Sequence, residues 1–149
     1  MKKKLTIIIS ILVIILLGVG IYFGVRASRI KKYRVADTYT VKGEEIISVK
    51  AVLGEKEIKK YSYEKDNTET LVLTFVDSNK EQSAKEYIEY LADNEKYIKM
   101  RTEDSNKYQI AKSADDSNDL VTVETECIED GFTVTIMVGP GAIKLDFIE

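Results

Sequence analysis

The chain has 149 residues with 22 Lys or Arg, 25 Asp or Glu, no His, no Trp, one Cys (Cys127) and one Pro (Pro140). Those counts exclude His-based triads, a His general base, His-ligated metals, zinc ribbons and an internal disulfide. The net charge of −3 hides a partition: residues 1–34 carry eight cations and no acid, and residues 35–149 carry a balance of −11.

From Leu5 to Val25 no residue is charged, and fifteen of these 21 are Leu, Ile, Val or Phe. A helix of this length spans roughly 31 Å, close to the hydrocarbon thickness of a bilayer. At about −0.4 kcal/mol for each apolar residue, insertion is favoured by roughly 6 kcal/mol. A transmembrane helix over 5–25 is therefore expected, with the lipid bilayer as its partner. Val25-Arg26-Ala27 also resembles a signal-peptidase site, with cleavage after Ala27. The apolar run exceeds the roughly 7–15 residues of a signal peptide, so an uncleaved signal-anchor is the expectation.

Orientation rests on opposed signals. Lys2, Lys3 and Lys4 precede the span, and Arg26, Arg29, Lys31, Lys32 and Arg34 follow it. That count favours a cytoplasmic C-terminus. The four-residue basic tip has the form of a signal n-region, and export of a long domain depends weakly on charge. We expect the C-terminal domain outside the cytoplasm, with the charge count standing against it.

Gly20 and Gly24 have small-xxx-small spacing, which permits weak homo-association; the abundance of Gly in membrane helices is the plainer account. The stem that follows, residues 26–34, places its cations among lipid phosphates. The acidic body argues against nucleic acid as a partner.

Residues 35–42 read as an extended connector and 43–149 as one acidic domain. Glu44–Leu53 predicts a short helix ending at Gly54, since Ile46, Val49 and Leu53 share a face. Glu57–Lys65 and Thr70–Val76 predict strands. Ser78 and Glu81 form a capping box for a helix over 79–95. Its buried face is expected to be Ala84, Tyr87, Ile88, Leu91 and Ala92. Further strands are expected at Tyr97–Arg101, Tyr108–Lys112, Leu120–Ile128 and Phe132–Val138, with a last short one at Ala142–Ile148. Asp130-Gly131 predicts a hairpin turn with φ > 0 at both residues, pairing Cys127 with Val134, Thr125 with Ile136 and Val123 with Val138. The fold class is α+β: an antiparallel sheet of five to seven strands, one main helix on one face and a short helix before it.

Chemistry-bearing residues are few. The Asp-Ser-Asn triplets at 77–79, 104–106 and 116–118 lie where turns and caps are wanted, at unequal intervals. The run Asp115-Asp116-Ser117-Asn118-Asp119 lacks the Gly turn and later Glu of a calcium loop. Cys127 has no base beside it in the sequence and stands among Glu124, Glu126, Glu129 and Asp130, which suits a structural thiol. Tyr61 and Tyr63 alternate along a strand, as a binding row or as ordinary cross-strand packing. Tyr87, Tyr90 and Tyr97 offer ligand stacking, with Tyr87 more simply core. Paired carboxylates without Trp platforms give little support to glycosidase chemistry.

The segments Val49–Glu55 (VKAVLGE), Tyr61–Glu64, Lys85–Leu91 (KEYIEYL), Gln109–Lys112 (QIAK) and Val121–Ile136 with its Asp130-Gly131 turn together resemble small, uncharacterised single-span proteins of Gram-positive bacteria. The resemblance implies a membrane location and transfers no activity and no site residue. The expectation is thus a membrane-tethered, non-enzymatic domain that binds a protein or cell-envelope component. A structural subunit of a membrane assembly and a carboxylate-dependent hydrolase are the alternatives. No catalytic residue, cofactor or metal is assigned.

Overall fold

A computed structural model describes residues 2–114 and 118–143, with side chains from residue 7 onward. The chain forms two units, 1–33 and 34–149. The first lies within helix α1 (Lys2–Val35), in which Ile7–Val35 is long and apolar enough to cross a membrane. Its apolar side chains are exposed from Ile7 to Val25; Ile14, Leu16 and Ile21 each expose about two thirds of their surface.

The second unit is α+β. Its order is β1 (Thr38–Val41), β2 (Glu44–Ile47), α2 (Val49–Leu53), β3 (Ile58–Glu64), β4 (Glu69–Val76) and α3 (Lys80–Asn94). Then come β5 (Ile98–Met100), β6 (Lys107–Ser113), β7 (Asp119–Ile128) and β8 (Gly131–Pro140). β1 and β2 pair alone, and the other six make one antiparallel sheet in the order β3-β4-β8-β7-β6-β5.

Alternation within the strands sorts the sheet into two faces. Leu71, Leu73 and Phe75 stand opposite Ile136, Val134 and Phe132, and Val121 and Val123 opposite Val138 and Ile136; all are buried. The Phe75 and Phe132 rings stack 5.2 Å apart. Onto this face α3 brings Ala84, Tyr87, Ile88 and Leu91, the face its 3.6-residue period predicts, with Ala92 half-buried. Tyr39, Val41, Ile46 and Val49 complete the core. The Tyr87 hydroxyl donates to the Ile47 carbonyl at 2.7 Å, and the Tyr39 hydroxyl accepts from the Val49 N–H at 3.2 Å. Burial pushes both phenols above their usual range.

Four local expectations are corrected. The predicted helix over 44–53 is a strand followed by a single helical turn. Ser48 is the N-cap, its Oγ accepting from Ala51 N–H at 3.1 Å and donating to Ala36 O at 2.6 Å. Ile46 and Ile47, β-branched, stand in β2, whose partner β1 comes from the segment read as a connector. The turn between them is Lys42-Gly43, with φ of 49° and 86°, as a type I′ hairpin requires.

The Ser78–Glu81 capping box is replaced. Asn79 is the N-cap without a side-chain cap bond, and the orphan Asn79 N–H is taken by Asp77 Oδ1 at 2.8 Å. The β7–β8 register pairs Cys127 with Phe132, Thr125 with Val134 and Val123 with Ile136, two residues from the prediction. Its turn is Glu129-Asp130, with Ile128 paired to Gly131 and no positive φ at any of these positions. Gly131 is needed for proximity instead, because a Cβ there would lie 1.8 Å from the Phe75 carbonyl oxygen. Finally, β8 passes the predicted break, pairing Gly139 with Leu120 and ending at Pro140. Residues 144–148 of the expected last strand lie outside the described residues, and Ala142 and Ile143 have no regular structure.

Lys96, just after α3, has φ of 60°, a left-handed conformation that costs a side-chain-bearing residue energy. Lys96→Gly should therefore stabilise the fold by about 0.5–1 kcal/mol. Gly131→Ala should destabilise it by about 2–3 kcal/mol through overpacking. Urea unfolding of the full chain in mild detergent reads both signs.

Candidate functional site

Three regions of unit 34–149 combine polar groups with accessible surface: the second face of the sheet, a groove beside α3, and ion-paired clamps near the hairpin turns.

Among the described residues no helix packs on the second sheet face. β4 presents Thr70, Val72 and Thr74 there, β8 Thr133, Thr135 and Met137, and β7 Thr122, Glu124 and Glu126, all half-buried. Cross-strand pairing sets Thr74 against Thr133 and Val72 against Thr135; the Thr74 and Thr133 hydroxyls lie 3.4 Å apart. β6 adds Lys107, whose Nζ sits 3.6 Å from Glu124 and 3.5 Å from Glu126. Glu124 and then Glu126 raise the Lys107 pKa, so this carboxylate pair holds an ammonium between its members. β-branched threonines on central strands have few rotamers, which fixes their hydroxyls in place. The face offers rigid, closely spaced donors and acceptors over a partly apolar floor.

The groove, about 380 Å³, runs between Lys85, Ile88 and Glu89 of α3 and Lys99, Met100 and Tyr108 of β5 and β6. The 102–107 turn closes one side and is satisfied internally. Asp104 Oδ1 accepts from Asn106 N–H at 2.9 Å, and the Thr102 hydroxyl donates to Lys107 O at 3.0 Å.

The clamps hold the hairpins. Glu69, buried at the start of β4, accepts from the Tyr63 hydroxyl and, at 2.9 Å, from the Lys42 N–H of the β1–β2 turn. Lys42 Nζ reaches Asp119 at 2.9 Å and Asn67 O at 2.9 Å. The Tyr63 hydrogen bond holds the Glu69 carboxyl below its usual range. Burial alone would raise Asp77. Hydrogen bonds from Lys56 (2.6 Å), Ser83 and Asn79 outweigh it, leaving the carboxyl below its usual range. Asp130 pairs with Lys59, which lowers its carboxyl in the same way.

The residues marked in the sequence fall as follows. Cys127 is half-buried on the α3 side opposite Phe132, and burial, then Glu81, pushes its thiol pKa up. That is the setting of an unreactive thiol. Asp77 and Asp104 each accept from the N–H two residues on, so the first two triplets are Asx turns. Asp115, Asp116 and Ser117 lie outside the described residues; among those described, no cluster of three His, Cys, Asp or Glu is placed to hold a metal. Tyr61 and Tyr63 pair with Leu73 and Leu71 on the core side of the sheet, at its edge. Tyr87 is core, Tyr97 is buried with Lys112 Nζ 4.9 Å above its ring, and Tyr90 is exposed. A Cβ added at Gly20 or Gly24 would meet nothing within 4 Å.

The threonine face was not singled out in the sequence reading, although its signal, Thr70, Thr74, Thr122, Thr133 and Thr135 at alternating strand positions, is present there. Comparison of the chain with protein-family models, with curated proteins and with solved structures finds no match.

The depressed carboxyls fix the acid response. A lowered folded pKa contributes stability that is fully present above the unfolded carboxylate range, near about pH 4, and is lost as pH falls through the folded values. The urea midpoint should fall on going from about pH 6 to about pH 2. Asp77→Asn with Glu69→Gln should lower stability at the upper pH and flatten that fall.

Proposed function

We propose that this protein is a single-span, membrane-tethered domain that binds a protein or cell-envelope component outside the cytoplasm, without catalysing a reaction. The observation that carries the tether is the exposure of every apolar side chain described in the span. In lipid such a helix satisfies its own backbone hydrogen bonds and needs no further partner.

The binding role is supported by the surfaces. The titratable groups with shifted pKa values serve turns, clamps or the core: Glu69, Asp77 and Asp130 anchor hairpins, Lys107 joins β6 to β7, and Tyr39 and Tyr87 join the core layers. Among the described residues no helix covers the threonine face, which lies on the part of the domain whose backbone is most fully paired. Rigid hydroxyls over Val72 and Met137 suit a partner presenting an extended strand or a hydroxyl-rich polymer. Export of a long domain depends weakly on flanking charge, which supports placing the C-terminal domain outside despite the cations that follow the span.

Orientation and binding are tested separately. Ser105 is exposed, so a Ser105→Cys, Cys127→Ser variant should react with a membrane-impermeant maleimide on intact cells. Labelling only after lysis would place the domain in the cytoplasm. Thr133→Lys with Thr135→Lys should leave folding intact and reduce partner crosslinking on intact cells by about tenfold, as expected of a central contact. Crosslinking unchanged from wild type would remove this face from the proposal.

A further inference from the structure

We propose that residues 26–32 form a binding site for anionic phospholipid headgroups, a reading that rests on α1 being the membrane span. Helix α1 continues without interruption past Val25 to Val35, so ten residues, about 15 Å of helix, follow the apolar run. The polar layer of a bilayer is about 5–7 Å deep on each side. Arg26 and Arg29 therefore lie within it, and Lys31 and Lys32 lie within about a Debye length of its surface. Their long side chains can fold back along the helix toward phosphate oxygens.

Competition for these cations is absent among the described residues. Arg29, Lys31 and Lys32 are exposed, Arg26 is half-exposed, and no ion pair involves any of the four. The fifth stem cation is different: Arg34 Nε is held by Glu55 at 3.0 Å. The first acid after the stem, Asp37, already holds Lys50 at 2.5 Å. Thus the domain's own pairs consume Arg34 and Asp37, leaving two guanidinium groups at headgroup depth and two ammonium groups just above it.

Two guanidinium groups matter chemically, since each can bind a phosphate through two parallel N–H bonds while Lys contributes a point charge. A zwitterionic headgroup carries its own ammonium and gains little from the site. The ligand is accordingly a lipid with net negative charge, and the contact steadies the end of the span from which the acidic domain continues.

The test uses the full chain reconstituted in phosphatidylcholine vesicles with a trace of spin-labelled phosphatidylglycerol or spin-labelled phosphatidylcholine. Electron spin resonance reads the immobilised fraction of each label. Wild type should favour the phosphatidylglycerol label by about fivefold, and molar salt should weaken that preference. The variant R26Q/R29Q/K31Q/K32Q should retain less than half of the preference, with Lys2–Lys4 supplying the same background in both. Equal preference in wild type and variant, with equal incorporation, would overturn the lipid site and leave the span standing. Failure of both chains to float with the vesicles would instead refute the span, and the lipid site with it.

Discussion

Twenty-one consecutive residues without a charge, wound into a helix whose described apolar side chains are exposed, constrain everything else in this molecule. Fifteen Leu, Ile, Val and Phe side chains cannot remain in water when any apolar phase is within reach. The domain builds its core from its own residues. It does so on one face of a six-stranded sheet, where α3 supplies Tyr87 and Leu91 and the segment 38–53 supplies Tyr39, Val41, Ile46 and Val49.

That solution leaves an asymmetric sheet. The covered face is Leu, Ile, Val and Phe, closed by two phenol hydroxyls that find backbone partners and a threonine, Thr125, that points toward Ala84 O. The other face has Thr, Glu and Lys at the alternate positions and half-exposed Val72 and Met137 between them. Antiparallel sheets tolerate such a wet face, which is why it can be turned to recognition without loss of fold. Charge follows the same division: cations gather before the domain, and within the domain Lys–Asp pairs tie the 42–43 and 129–130 hairpin turns and the connection after β4.

Much of this was legible in the sequence. The long apolar helix follows from length and composition, and the buried face of α3 from the spacing of Ala84, Tyr87, Ile88 and Leu91. The strand faces survive even where pairing was misjudged, because the β7–β8 error is two residues and parity is preserved. What failed depended on which of several compatible partners a segment meets. Gly131 follows from the approach of Phe75 and Gly43 from a turn, and a sequence does not distinguish the two uses of glycine. The segment 44–53 has helical spacing, but β-branched Ile46 and Ile47 take a strand once β1 offers a partner. The third Asp-Ser-Asn triplet falls largely outside the described residues, whereas the first two behave as their composition implies.

Membranes from cells producing the full chain, washed in alkaline carbonate and recovered by ultracentrifugation, provide the most direct trial of the anchor. Retention of the chain in the pellet, with release only by detergent, is the expected result. Release into the carbonate supernatant would mean that α1 does not cross the bilayer, and the account of this protein as a tethered domain would fail.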